Sequence, residues 1–211
     1  MSKIVFGKTG EVDWNEVETG SGSNSSKDLF MRLEEGENVV RVMGRPFQFH
    51  VHWIQTSDNK KRKIVSASER NSLTDKLEDA GFKRQPKWIV KVLDRDGDQF
   101  KVMEIGSQIL NGIKALAQNN KWGDVRNYDL SIHRGPKGSQ PLYTVTPNPK
   151  EKLGTEFKSQ FDSFEERLDL SKLTTPTETN EVCTMLGWSA SEFGAEAKSN
   201  ASDDDFDFNF E

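Results

Sequence analysis

Four consecutive cations, Lys60-Lys61-Arg62-Lys63, are the densest basic feature of this 211-residue chain. Lysine and arginine neutralise phosphates, and four of them at a hairpin tip can follow a flexible polyanionic backbone. An isolated run of this kind is more often a solvated loop tip. This run is not isolated. Arg41 and Arg45 precede it, Lys83, Arg84 and Lys87 follow it, and Arg134 and Lys137 flank a later turn. Aromatic residues are interleaved with these cations: Phe47, Phe49 and Trp53, then Trp88, then Trp122, Tyr128 and Tyr143. Flat rings stack bases of any sequence at about 1–3 kcal/mol each, while cations follow the phosphates. Core packing competes for the same rings. Trp88 alternates with Val90 and Val92 and is expected inside. Phe47, Phe49, Val51 and Trp53 share one strand face, about half of which should fill the interior. Trp122 and Tyr128 lie in a polar stretch near Lys121 and Arg126, where stacking and packing are balanced.

Other chemistries fit the sequence less well. His50 and His52 share a strand face, but no third ligand cluster accompanies them, so a polar outer face is expected rather than a metal. Asp94, Asp96 and Asp98 resemble the start of a calcium loop. Gly97 breaks the ligand spacing and no EF-hand glutamate follows, so a hairpin turn suits them better. Phosphate-loop, zinc-protease and serine-hydrolase motifs are missing, and Cys183, the single cysteine, has no plausible base beside it. It is expected to be a small apolar residue on a helix. The reading is therefore non-enzymatic, with no cofactor, no metal and no membrane partner. A different signal stands at the C-terminus, where Asp203, Asp204, Asp205 and Asp207 interleave with Phe206, Phe208 and Phe210. Rings alternating with carboxylates suit insertion into a basic, apolar pocket of a partner protein.

Charge is distributed unevenly. Residues 1–26 hold 2 basic and 4 acidic side chains, residues 27–150 hold 22 and 15, and residues 151–211 hold 5 and 15. A basic body that carries an acidic end can attract polyanions, and its own tail can compete for the same surface. Charged residues make up 30% of the chain against 33% hydrophobic, and the mean hydropathy is -0.75, so part of the chain is expected to be disordered. One cysteine excludes an intramolecular disulfide framework, which fits a reducing compartment.

The elements that must position these groups are mostly strands. Glu37 to Met43 is rich in valine, and Phe47 to Trp53 alternates with period two. Gly44 and Pro46 between them predict a bend in one long strand. Ser57-Asp58-Asn59 turns the chain into the basic run, with a short strand from Ile64 to Ala67. Residues 68–80 are expected to be helical, with Gly81 as the stop. Lys87 to Leu93 and Phe100 to Ile105 make a hairpin. Residues 107–118 form the clearest helix, with Ser107 able to cap it, and strands follow at 128–134 and 142–146. A weaker helix is expected within 168–188, with Thr177 as a possible cap. Five or six strands, with a helix between the third and fourth, match the order of an oligonucleotide-binding (OB-fold) barrel. The expected domains are a flexible arm over 1–26 containing a Gly/Ser linker, a body over 27–173, and a C-terminal region over 174–211 that ends in the acidic tail.

Three stretches carry a resemblance to a known family. They are Phe30-Met31-Arg32-Leu33-Glu34-Glu35-Gly36-Glu37-Asn38-Val39-Val40-Arg41-Val42, then Tyr128 to Gly135 followed by Tyr143-Thr144-Val145-Thr146-Pro147, and the acidic tail. In this order they resemble single-stranded DNA-binding proteins of tailed bacteriophages, the helix-destabilising type with an OB-fold core. The resemblance implies roles in replication, recombination and repair, and action in the cytoplasm of an infected bacterium. It also implies self-association along DNA and recruitment of replication and recombination proteins by the tail. Some relatives carry a Cys/His zinc module after the first hairpin; the corresponding segment here has no cysteine. The expected site is a cleft in which Arg41, Arg45, Lys60, Lys61, Arg62, Lys63, Lys87, Arg126 and Arg134 hold phosphates and Trp53, Trp122 and Tyr128 stack bases. An RNA-binding OB-fold protein and a protein-assembly factor with a basic face are the alternatives, with a small nuclease behind them.

Overall fold

A computed structural model describes residues 29–193, so the N-terminal arm and the acidic tail lie outside the described residues. The described chain is mainly β, with seven antiparallel strands and several helices, and the strand pairing does not close. In chain order the strands are β1 (Gly36–Val42), β2 (Phe47–Gln55), β3 (Lys61–Val65), β4 (Gln85–Asp94), β5 (Gln99–Ile105), β6 (Tyr128–Arg134) and β7 (Tyr143–Lys150). The helices are α1 (Ser72–Asp79), α2 (Ser107–Ala117), α3 (Thr155–Arg167), α4 (Leu170–Leu173) and α5 (Thr179–Leu186). The chain divides into two compact units. One takes the described residues up to Gln48 together with Pro86–Leu170; the other takes Phe49–Gln85 and the described residues from Ser171 on. Residues 49–85 pack with the segment that contains α5.

In the first unit the strand order is β5-β4-β1-β6-β7, every neighbour antiparallel. β5 and β7 are the two ends of this path and do not pair, so the sheet is not closed. One face is apolar at period two. Val40 and Val42 of β1, Val90 and Val92 of β4, Met103 and Ile105 of β5 and Tyr128, Leu130 and Ile132 of β6 gather there with Ile109 and Ile113 of α2. Beyond β1 the chain keeps following β4 up to its bend: Met43 N donates to Lys91 O at 2.9 Å. The bend at Gly44 is tight, since a Cβ there would lie 3.1 Å from Lys91 Cε. Asn38 fixes the lead-in to β1, its amide donating to the carbonyls of Glu34 and Ile132 at 2.9 and 3.1 Å.

Helix α2 follows from its sequence, with Ile109 and Ile113 one turn apart on the buried side. Gly106, not Ser107, occupies its N-cap position and supplies no side-chain cap. Gly112 lies against β7, where an added Cβ would stand 2.8 Å from Val145 Cγ2 and 2.9 Å from its Cβ. Alanine is the better helix former by about 1 kcal/mol. The branched valine has few ways to yield, however, and overpacking costs about 1–3 kcal/mol. Gly112→Ala should therefore destabilise despite its helix propensity. A denaturant midpoint at or above that of the parent chain would show that β7 moves away freely.

The second unit is built on the β2–β3 hairpin, covered by α1 and α5. Ile54, Ile64, Leu73, Leu77 and Val182 form its core, with Phe82, Met185, Leu186, Trp188 and Phe193 around them. Helix α1 starts with a capping box in which Asn71 and Thr74 bond each other's backbone, and Gly81 at φ +88 ends the segment as expected. Helix α5 begins after Glu178, not at Thr177. The Thr177 hydroxyl instead accepts from Val65 N at 3.0 Å, while its own N–H donates to Val65 O at 3.0 Å, so this residue pairs with β3. Burial pushes the Cys183 thiol up, in keeping with a buried apolar role.

Candidate nucleic-acid interface

The basic run and Trp53 meet in the second unit. Strand β3 starts at Lys61, three residues earlier than the sequence suggested, because the turn is completed by Lys60. Thr56 organises that turn. Its N–H donates to Lys60 O at 2.9 Å, and its hydroxyl oxygen, 2.8 Å from that carbonyl, accepts from Lys60 N at 3.1 Å. The Lys60 ammonium is held by Asp58 Oδ2 at 2.6 Å, and this bond, with one from Thr56, holds the Asp58 carboxyl below the ordinary carboxylate range. Lys60 therefore serves the turn first.

Hairpin register then sorts the other three cations. Trp53 stands opposite Lys63 and Gln55 opposite Lys61, so these four side chains share a face; Arg62 stands opposite Ile54 on the other. Trp53 is 36% exposed, and among the described residues it and Phe47 are the exposed large apolar side chains. Lys61 Nζ lies over its ring at 5.5 Å from the centroid. An exposed indole with a lysine over its face offers a base a stacking surface and its phosphates a cation, and Lys63 stands directly across the hairpin. The alternation that placed Phe49, Val51 and Trp53 on one face is correct, but burial changes sides along β2. Phe49 and Val51 are buried, Trp53 is not, and His52 and Ile54 are buried on the opposite side.

His52 is thus not on a polar outer face. It is fully buried, its Nδ1–H donating to Phe82 O at 2.6 Å, with Nε2 3.2 Å from Ser66 Oγ. Both ring nitrogens serve the unit's own packing. His50 remains partly exposed, and partial burial together with nearby Arg84 and His52 pushes its imidazole down. Arg84, a cation near the basic run, is spent on Ser66 Oγ and the carbonyls of Ala67 and Ser68 at 3.2, 2.8 and 2.9 Å. Among the described residues no group of three His, Cys, Asp or Glu side chains is arranged to hold a metal ion.

In the first unit several expected contacts have structural duties. Arg41 is 1% exposed, not a surface cation. Its Nε donates to Asp129 Oδ1 at 2.5 Å and its Nη1 to Glu151 O at 2.9 Å. Asp129 also receives Arg95 Nε at 3.0 Å. Burial opposes the Arg95 charge, but its bonds to Asp129 and Asp98 outweigh that and raise its guanidinium. Tyr128 is a core residue and not a stacking platform: it is 0% exposed, and its hydroxyl reaches Gly123 O at 3.3 Å. Burial pushes its phenol up. Its parity with Leu130 and Ile132 was the signal for this. Arg134 is half-buried and donates to Leu33 O at 2.7 Å.

The remaining expected contacts of this unit are more open. Trp122 is half-buried against Tyr128, with ring centroids 5.4 Å apart, and Lys121 Nζ stands over its ring at 5.3 Å from the centroid. Arg126 is exposed and grips Asp124, which holds the Asp124 carboxyl down and the guanidinium up. Lys87 lies 4.0 Å from Glu104, and Arg45 and Phe47 are both exposed. Asp94 and Asp98 are consumed by the β4–β5 hairpin, pairing with Lys101 at 2.8 Å and Arg95 at 2.9 Å. The structure also adds an element the sequence reading passed over, helix α3. Its phenylalanines at 157, 161 and 164 follow the i, i+4, i+7 pattern that would have revealed it.

Over 153 residues the chain is 22% identical to a protein of Escherichia phage T5 described as a probable ssDNA-binding protein. The alignment takes in 63% of this chain, and it spans 58% of the relative's own length. Neither a family model nor a solved structure matches the chain.

Proposed function

We propose that this chain is a non-enzymatic protein that binds single-stranded DNA with little regard to sequence. The observation that carries the reading is the β2–β3 face, where exposed Trp53 lies under Lys61 and opposite Lys63. Stacking and phosphate neutralisation are the two contacts that sequence-tolerant single-strand binding requires. The phage T5 relative, by its description, points to the same ligand. The connectivity of the first unit supports a partly open OB-fold, the finer form of this reading. Counting β1, β4, β5, β6 and β7 as its five strands, helix α2 falls between the third and the fourth. By the family resemblance, the protein would act in phage replication, recombination and repair within the bacterial cytoplasm. The acidic phenylalanine tail would dock replication proteins.

The test is intrinsic tryptophan fluorescence titrated with poly(dT) at low and moderate salt, with duplex DNA and matched RNA as controls. The expected result is saturable quenching by the single strand, weak or absent with duplex. Log affinity should fall linearly with log salt, by about 0.7 per phosphate neutralised. Tighter binding to RNA would turn the reading to an RNA partner. The absence of binding, with a mobility shift to exclude a silent complex, would refute it.

A further inference from the structure

Helix α3 lies against the β4–β5 hairpin of the first unit in an unusual way. None of its 13 residues is buried, and Gly154 gives its N-terminus no side-chain cap. Its contacts converge on one ring. Phe100 of β5 has Phe157, Phe161 and Phe164 around it, with centroids at 6.4, 5.3 and 5.9 Å. Beside that ring, Lys91 of β4 is paired with Glu165 and lies 5.7 Å from the Phe161 centroid. Arg95 stands 5.7 Å from the Phe157 centroid. The helix is also acidic, with Glu156, Asp162, Glu165 and Glu166 against Lys158 and Arg167.

These contacts combine rings stacked on an aromatic residue with an anion on the adjacent cation. A single strand makes the same pair of contacts, through bases and phosphates. A 13-residue helix without a side-chain cap or a buried face is marginal on its own, so it persists through these contacts. Ile89 and Leu93 of β4 and Val102 of β5 share the face of Lys91 and Phe100 and are buried. Whatever replaces α3 must cover apolar ground, as stacked bases do.

We propose that the face carrying Phe100 and Lys91 is a strand-binding surface masked by α3, and that single-stranded DNA displaces this helix to occupy it. The inference rests on the single-strand reading above, but it concerns different residues from the Trp53 face. It implies that part of the intrinsic affinity is spent in lifting α3, so releasing the helix should tighten binding.

Two measurements on the full chain test it. Amide hydrogen exchange, with and without saturating poly(dT), reads α3 directly. Faster exchange across residues 157–167 in the complex is expected, and unchanged or stronger protection there would overturn the proposal. The second measurement is the affinity of Phe161→Ser/Phe164→Ser, which leaves the charge untouched. It should bind poly(dT) more tightly, by about fivefold or more, with the gain lost when Phe100→Ala is added. Equal or weaker binding by the folded variant would count against the mask. If the variant fails to fold, the exchange result on the parent chain decides alone. Parent binding without α3 release would sink the mask and leave the single-strand reading standing; no binding by parent or variant would sink both.

Discussion

Asp129→Ala should destabilise the first unit by about 3–5 kcal/mol, more than any surface change considered above. Its carboxylate lies between two guanidiniums, 2.5 Å from Arg41 Nε and 3.0 Å from Arg95 Nε. Arg41 is the vulnerable partner. It is buried in β1, its Nη2 has no hydrogen-bond partner among the described residues, and without Asp129 the Glu151 carbonyl at 2.9 Å is the one acceptor among them that would remain to it. A buried charge stripped of its counterion carries its full desolvation penalty, whereas removing the whole pair can be nearly neutral. The converse substitution is therefore milder. Arg41→Met keeps much of the volume and leaves Asp129 with Arg95, so it should cost less than half as much. Arg41→Met/Asp129→Leu should recover part of the loss seen with Asp129→Ala. Urea unfolding followed by tryptophan fluorescence measures all three. Equal losses for the two single variants would show that the pair is hydrated and that Arg41 is not committed to the core.

The case of Arg41 also shows where sequence reasoning stops. Strand β1 was legible from its valines, and the β4–β5 hairpin from alternation around an aspartate-rich turn. Helix α2 was legible from its apolar spacing. These signals are local, and they fix elements well. Whether a cation in such an element faces water depends on what covers the other side of the strand. For Arg41 that information resides in Asp129, 88 positions away. Strand parity did carry the burial of Tyr128, beside Leu130 and Ile132, but the polar residues around it argued the other way. For His52 parity misled, because the buried side of β2 changes after Val51. The open end of the strand path was not legible either. Closure requires β5 and β7 to meet, a non-local pairing that no pattern within either strand encodes. The basic run was the most legible feature. Its division into a turn lysine, two lysines beside Trp53 and an arginine on the opposite face required the hairpin register.

That register leads to the second large expectation. Trp53→Ala should weaken binding to poly(dT) by about 1–3 kcal/mol, roughly 5- to 150-fold, with little loss of stability. The ring is 36% exposed and lies outside the apolar cluster built on Ile54 and Ile64, so truncating it opens no cavity. Trp122→Ala supplies the contrast. That ring packs on buried Tyr128, and its loss should lower the unfolding midpoint whether or not it touches DNA. Lys61→Gln separates the two roles of the Trp53 face. Removing its charge should reduce the slope of log affinity against log salt by about 0.7, the share of one phosphate, while much of the stacking term survives. Trp53→Ala should do the opposite, lowering affinity at every salt concentration and leaving the slope unchanged. A folded Trp53→Ala protein with parental affinity would remove the β2–β3 face from the interface. Binding would then have to be sought in the first unit, where Phe100 and Lys91 lie beneath α3.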